Sequence, residues 1–367
     1  MKKMDAGRTG ALWLAITLAG GAIDGVSTQT LVPERIGTVE VPLSQGGSIA
    51  LMSDENTACV IDAYEVQVRC VDRNGDMVGV FGREGEGPGE FGWLFRLVGG
   101  PDNTVGTVDQ RLQRFTVFEP SGVLIAETVY PGEANLMNPV GRFSATFAGV
   151  SLVTYDLDVI LAGAGPGGKD ALFEVDIASG EVVRTEVPPV DAEVECGMIM
   201  YGIPNPAGGW VYVACEGHMV FVADEGDVTV LQAPTYTGEL PNERDIEQRS
   251  EASRPTGRFG GGMSREALEE YRNTPKNYHL LLGEQKFDDR GRLWIATQRD
   301  RDEFSYLDVY DPAGAAFVGS VRVSDRIMGF DLLGSTLVVV VERQLSPDDA
   351  DGIPDRAVDW YDVSEVR

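Results

Sequence analysis

The feature that most limits what this chain can fold into is a motif that recurs along it. Residues 60–75 read VIDAYEVQVRCVDRNG and residues 107–122 read TVDQRLQRFTVFEPSG. In each, an aspartate (Asp62, Asp109) ends a β-like run, an alternating run follows, and a glycine closes a D/E-x-x-G turn 13 positions after the aspartate. This is the pattern of strand, short turn, strand and second turn. Weaker copies are FEVDIASG ending at Gly180, MVFVADEG ending at Gly226, LDVYDPAG ending at Gly314, and WYDVSE near the C-terminus.

Successive turn glycines lie 47, 58, 46 and 88 residues apart. All but the last spacing resemble the 40–50 residue period of propeller blades. The sequence therefore predicts an all-β fold, a six-bladed β-propeller over residues 31–367, with a helical insertion of about forty residues (236–278) between blades 4 and 5, its two helix-like pieces beginning at Asn242 and Ser264 as N-caps. Each unit supplies four short strands, as at Arg96 to Gly99, Thr104 to Val108, Arg114 to Glu119 and Val123 to Val129. The last unit shows three, and the leftover segment Arg35 to Val41 is expected to close the ring as its missing outer strand, which removes an open edge. The 45 glycines and 19 prolines suit many strands joined by turns.

One stretch is nameable. FGREGEGPGEFGW followed by VDQRLQRFTVFEPSG resembles the NHL-type repeat: a G-x-G-x-GPGEF loop, a strand, V-x-D, and an R-h-x-h-F-x-x-x-G strand and turn. The resemblance covers about residues 54–129, and the whole chain is similar to bacterial exported six-bladed propeller proteins that carry such repeats. It implies a ring with a central channel and no single shared reaction.

Lys2, Lys3 and Arg8 precede an apolar run from Ala11 to Ala19. This reads as an export signal over residues 1–27, with a secreted or periplasmic mature protein and no membrane span. Four cysteines fit that oxidising compartment. Folding ACVIDAYEVQVRCV about Tyr64 and Glu65 sets Cys59 opposite Cys70, and Cys196 and Cys215 are related in the same way about Asn205 and Pro206. Two disulfides are expected, since cross-strand neighbours have Cβ atoms about 4.5–5.5 Å apart.

The formal charge of −28 excludes nucleic acid and anionic membrane surfaces as partners. The remaining partner classes are a small molecule, a glycan or a protein, met by a monomer. Loops on one face gather the ligand-binding candidates Arg83 and Trp93 of the glycine-rich loop, Arg111 of a strand turn, and Arg249, Arg254 and Arg258 of the insertion. Arginines on so acidic a protein suit a carboxylate or phosphate. Phe91, Trp93 and Phe95 are expected between blades, with exposure of Trp93 at the mouth as the alternative. The glycine-rich loop is no nucleotide cradle: it lacks a terminal Lys-Ser/Thr and bears Glu84, Glu86 and Glu90.

SPDDADGIPD is the calcium-like string, with Asp349, Asp351 and Asp355 as candidate ligands. No other cofactor is suggested. The chain has two histidines, His218 and His279, and no G-x-S-x-G. Neither a nucleophile–base pair nor a histidine metal centre can be read from it. The functional expectation is an exported binding scaffold with its site at the channel mouth. The alternative is a divalent-cation-dependent hydrolase, lactonase or lyase of the propeller type that uses channel carboxylates.

Overall fold

The structure, a computed structural model, describes residues 30–44, 47–129, 138–139, 142–143, 147–153, 170–176, 181–186, 190, 192–194, 199–206, 208–252, 264–280, 285–300, 303–344 and 354–366. The chain begins with β1 (Thr30–Leu31) and β2 (Glu34–Glu40). Antiparallel sheets then follow in chain order. The first holds β3 (Ile49–Leu51), β4 (Thr57–Asp62), β5 (Gln67–Asp72) and β6 (Met77–Phe81). The second holds β7 (Leu94–Gly99), β8 (Val105–Asp109), β9 (Arg114–Phe118) and β10 (Leu124–Val129). The third holds β11 (Asn138–Pro139), β12 (Phe147–Val153), β13 (Asp170–Asp176) and β14 (Val182–Glu186). The fourth holds β15 (Ile199–Pro204), β16 (Trp210–Ala214), β17 (His218–Val222) and β18 (Val228–Gln232).

Two helices, α1 (Glu243–Ala252) and α2 (Arg265–Arg272), intervene. The fifth sheet holds β19 (Gln285–Phe287), β20 (Leu293–Ala296), β21 (Phe304–Asp311) and β22 (Ala316–Ser324), and the last holds β23 (Arg326–Leu333), β24 (Thr336–Glu342) and β25 (Arg356–Asp362).

Strand β2 completes the last sheet by pairing antiparallel with β25, with Val39 opposite Val358 and Glu34 opposite Asp362. The blade count expected from the sequence needs correction: five four-stranded blades form, not six. Five sheets are four-stranded, but the fifth in chain order has five strands, because β1 adds in parallel to the outer edge of β22, Thr30 beside Ser320 and Leu31 beside Val321. Six equivalent blades closed by one N-terminal strand are therefore not what forms. The chain clasps two successive sheets: Leu31 packs on the core between them, and Val32 and Pro33 carry the chain from one to the other, where a proline cannot continue a ladder. Two residues are too few to leave a sequence pattern.

The core lies between sheets, not within one. Val338, Val340, Val358 and Trp360 of the last sheet meet Ile49, Leu51 and Val60 of the first. First meets second through Cys59, Val68, Phe91 and Phe118, and Phe115 of the second makes a T-shaped contact with Phe143 at 5.4 Å between ring centroids. Middle strands have sheets on both sides, so β8 and β9 are buried at every position, as continuous apolar runs require. Outer strands face water, and Met77, Val80 and Ile125 are exposed. Inner strands also have a free edge. Leu51 N–H donates to the Asp331 carboxylate (2.8 Å), Leu97 N–H to Ser48 Oγ (2.9 Å) and Ile327 N–H to Ser305 Oγ (2.9 Å). Each acceptor comes from the preceding sheet, which satisfies buried donors and stitches neighbours together.

Cys59 and Cys70 are directly opposed on β4 and β5 and form a disulfide. Cys215 is also disulfide-bonded. Cys196 lies outside the described residues, as does the expected export signal. Among the described residues, no helix is long and apolar enough to cross a membrane.

Candidate functional site at the channel mouth

Each sheet runs from an inner to an outer strand. The outer-to-inner connections therefore share one face with the turns between second and third strands, and the repeated aspartates lie there. Asp109 Oδ1 accepts the Leu112 N–H (2.8 Å), capping its turn, while Oδ2 accepts the Gly92 N–H (2.6 Å) of the loop leading into its own inner strand. Asp62 repeats this on Glu65 N–H (3.3 Å) and Ser44 N–H (3.0 Å). Both are fully buried. The recurring aspartate is thus a staple that fixes two loops at the mouth.

The glycine-rich loop is held from within. The buried Arg114 of β9 donates to the carbonyls of Glu86 (3.3 Å), Gly87 (3.2 Å) and Glu90, and to Glu127 Oε1 (3.2 Å). Gly82 has φ +91°, and a Cβ there would stand 2.5 Å from the Phe91 ring, so both conformation and space demand glycine. Phe91 packs between sheets as expected. Trp93 does not, being 50% exposed, because Asp109 holds the backbone of Gly92 and Trp93 at the rim. Phe95 lies on β7, its side chain outside the description. The candidates Arg83 and Arg111 are on this face but already paired, Arg83 with Glu90 (2.6 Å) and Arg111 with Glu86 (3.9 Å).

The insertion supplies the strongest electrostatics. Asn242 caps α1: its Oδ1 accepts the Asp245 N–H (2.8 Å), and Asp245 Oδ2 accepts the Asn242 N–H (3.3 Å), a reciprocal capping box. Ser264 caps α2 by accepting the Ala267 N–H (3.1 Å). Asp245, 3% exposed, meets Lys276 Nζ at 3.2 Å and Arg326 of the last sheet at 2.8 Å. Burial alone would push its pKa up, but these two cations and the Asn242 N–H leave it below the usual carboxylate range. Arg244 reaches Glu342 (2.8 Å), which also holds Arg356 (3.4 Å). Helix α1 is thereby bolted to the mouth of the last sheet. Arg249 lies on α1, its side chain outside the description, and Arg254 and Arg258 lie outside the described residues.

The insertion's two roots converge on one buried carboxylate that the sequence did not reveal. Asp308 of β21 accepts from Thr235 Oγ1 (3.1 Å), Tyr278 OH (2.7 Å) and Ser320 Oγ (2.6 Å). Burial raises its pKa despite these donors and the nearby Arg299. Burial also holds the adjacent His279 neutral, its pKa down at about 3, with Nε2 3.3 Å from Tyr310 OH. The alternation Tyr306, Asp308, Tyr310 on one strand was the available signal, readable only once β21 is known to face the insertion. His218 is a buried strand histidine whose Nδ1 lies 3.0 Å from the Cys215 carbonyl.

Asp349 and Asp351 lie outside the described residues. Asp355 is exposed, and its carbonyl accepts the Arg343 N–H (2.8 Å). Among the described residues no group of three or more His, Cys, Asp or Glu side chains is placed to hold a metal.

No family model matches the sequence, and no curated protein matches it. Solved structures do. A member of the DUF4221 family from Bacteroides vulgatus is similar at TM-score 0.50 and 12% identity, over 90% of this chain and 97% of that one. Regucalcin, a calcium-binding protein from Agrobacterium tumefaciens, gives TM-score 0.44 at 12% identity over 91% and 96%. A putative exported protein from Bacteroides fragilis gives 0.41 at 10% over 90% and 91%. With the sheets described above, the first of these likenesses defines the class: an all-β propeller. At such identities the likeness is one of fold.

Proposed function

We propose that this is an exported, monomeric ligand-binding propeller, its mature part spanning residues 31–367, that takes a small molecule, glycan or protein at the mouth roofed by the insertion. One observation carries the reading: α1 is fixed to the last sheet by an aspartate buried between Lys276 and Arg326. A surface excursion without a role has no need of so deeply buried a charge pair, which is costly unless its geometry is held. Long loops on a rigid scaffold are where binding residues concentrate. The disulfide accords with an oxidising compartment. The basic set Arg249, Arg254 and Arg258, with the exposed Trp93, suits a ligand bearing a carboxylate or phosphate beside an apolar face.

The test is a thermal-shift panel of oligosaccharides, peptides and small acids, run on the full chain and on a variant with residues 253–263 replaced by a Gly/Ser linker. A ligand that stabilises the native chain and not the variant is expected. A panel without a stabilising ligand, or equal stabilisation of both proteins, defeats the reading. The metal-dependent alternative has its own measurement, melting in calcium against EDTA. Calcium at a hundredfold its Kd adds about 2.7 kcal/mol, and a gain abolished by Asp351→Asn would place the ion at Asp349, Asp351 and Asp355.

A further inference from the structure

The end of the channel opposite the insertion carries a second charged constellation. Arg142, between β11 and β12, meets Asp331 on β23 (3.4 Å), and its other terminal nitrogen donates to the Gly100 carbonyl (3.4 Å). The contact thus ties the β11–β12 connection of the third sheet to an inner strand of the last. Lys286 on β19 approaches the same carboxylate at 3.8 Å. The three side chains are 25%, 5% and 13% exposed for Arg142, Asp331 and Lys286. The approach is built in: a Cβ on Gly99 would collide with the Arg142 guanidinium at 2.4 Å.

Among the described residues the pairing is incomplete. Two cations share one carboxylate, and that carboxylate also accepts the Leu51 N–H at 2.8 Å. Charge-assisted hydrogen bonds settle at about 2.7–2.9 Å. Neither cation reaches that distance here, and the Lys286 ammonium has no hydrogen-bond acceptor among the described residues. A largely buried excess positive charge is costly until an anion meets it.

We propose that this channel floor is an oxyanion site, with Arg142 and Lys286 as its ligands and Asp331 as the strut that holds them apart. A carboxylate or phosphate oxygen suits it, since a guanidinium fork and an ammonium together match such a group. The site is independent of the insertion and does not rest on the reading of the mouth.

The experiment is calorimetric titration and thermal unfolding of the full chain with inorganic phosphate, acetate and succinate, at ionic strength fixed with chloride. A saturable response to phosphate, to the carboxylates or to both identifies the class. It should weaken about tenfold or more in Lys286→Gln and persist in Lys286→Arg. Because the Lys286 ammonium makes no hydrogen bond among the described residues, the Gln variant should fold with an unchanged or higher melting temperature without anion. No saturable response to any oxyanion, a response equalled by chloride, or an unaltered affinity in Lys286→Gln overturns the site. Replacing residues 253–263 leaves it untouched, so the two proposals fail separately.

Discussion

Closure by the N-terminal strand predicts that Asp359 is a latch. Its carboxylate on β25 is fully buried and accepts from Thr38 Oγ1 (2.6 Å), from Arg35 (3.3 Å) and from both terminal nitrogens of Arg343 (2.9 and 2.7 Å). Thr38 and Arg35 belong to β2, so one side chain holds the strand that arrives from the far end of the sequence. Asp359→Asn keeps the volume but removes the charge and turns an amide toward Arg343. Removing one partner of a buried ion pair costs about 3–5 kcal/mol. Here Arg343 keeps Asp325 at 2.7 Å and Arg35 is 44% exposed, so solvent and a second partner recover part of that. A loss of about 2–3 kcal/mol is expected. At about 2 °C per kcal/mol for a chain of this size, melting falls by about 4–6 °C. Hydrogen exchange localises the effect: amides of Glu34–Glu40 should lose protection while those of β4 and β8 keep theirs. A melting temperature within about 1 °C of the native protein, with unchanged protection of β2, would refute the latch.

Other outcomes follow from the same contacts. Asp245→Asn removes the anion that Lys276 and Arg326 share, though Lys276 keeps Glu239 at 3.2 Å, and should cost about 2–4 kcal/mol in chemical unfolding. Because the Asp245 pKa lies below its unfolded value, its contribution is present at neutral pH and is lost as pH falls through that lowered value, which the variant should not show. His279 has the same sign by another route. With a folded pKa of about 3 against 6.5, it binds fewer protons folded than unfolded in that window, so stability drops on acidification from about pH 6.5 toward 3, and His279→Gln should flatten the slope. Reduction of Cys59–Cys70, which are 11 residues apart, or the Cys59→Ala/Cys70→Ala pair, should lower stability by about 3 kcal/mol. Alkylation of the unreduced protein should add no mass.

The repeated aspartate and turn glycine were enough to place most strands, because propeller sheets bury their faces only against neighbours and so repeat the same local chemistry. The cross-strand relation of Cys59 to Cys70 was legible from hairpin arithmetic, as were the caps Asn242 and Ser264, since all three depend on residues close in sequence. The candidate site was legible only as a location. Arg83 and Arg111 looked like free ligand arginines, yet Glu90 and Glu86 take them, and Arg114, which looked like a strand residue, is the anchor of the glycine-rich loop.

What the amino-acid order settled by itself was local: strand and turn periodicity, the insertion and its position, the disulfide partners on one hairpin, and a charge hostile to polyanions. What only the assembled ring decided was which distant groups meet. Asp245 finds Arg326, Asp308 finds the insertion's two roots, and Arg142 finds Asp331, pairs of groups up to 189 residues apart that only the assembled fold brings together. The five-stranded sheet belongs there too, for two residues beside β22 acquire a partner only when the chain's beginning returns to its end. Periodicity records which faces a strand must bury, and it carries no record of which remote side chain will share that burial.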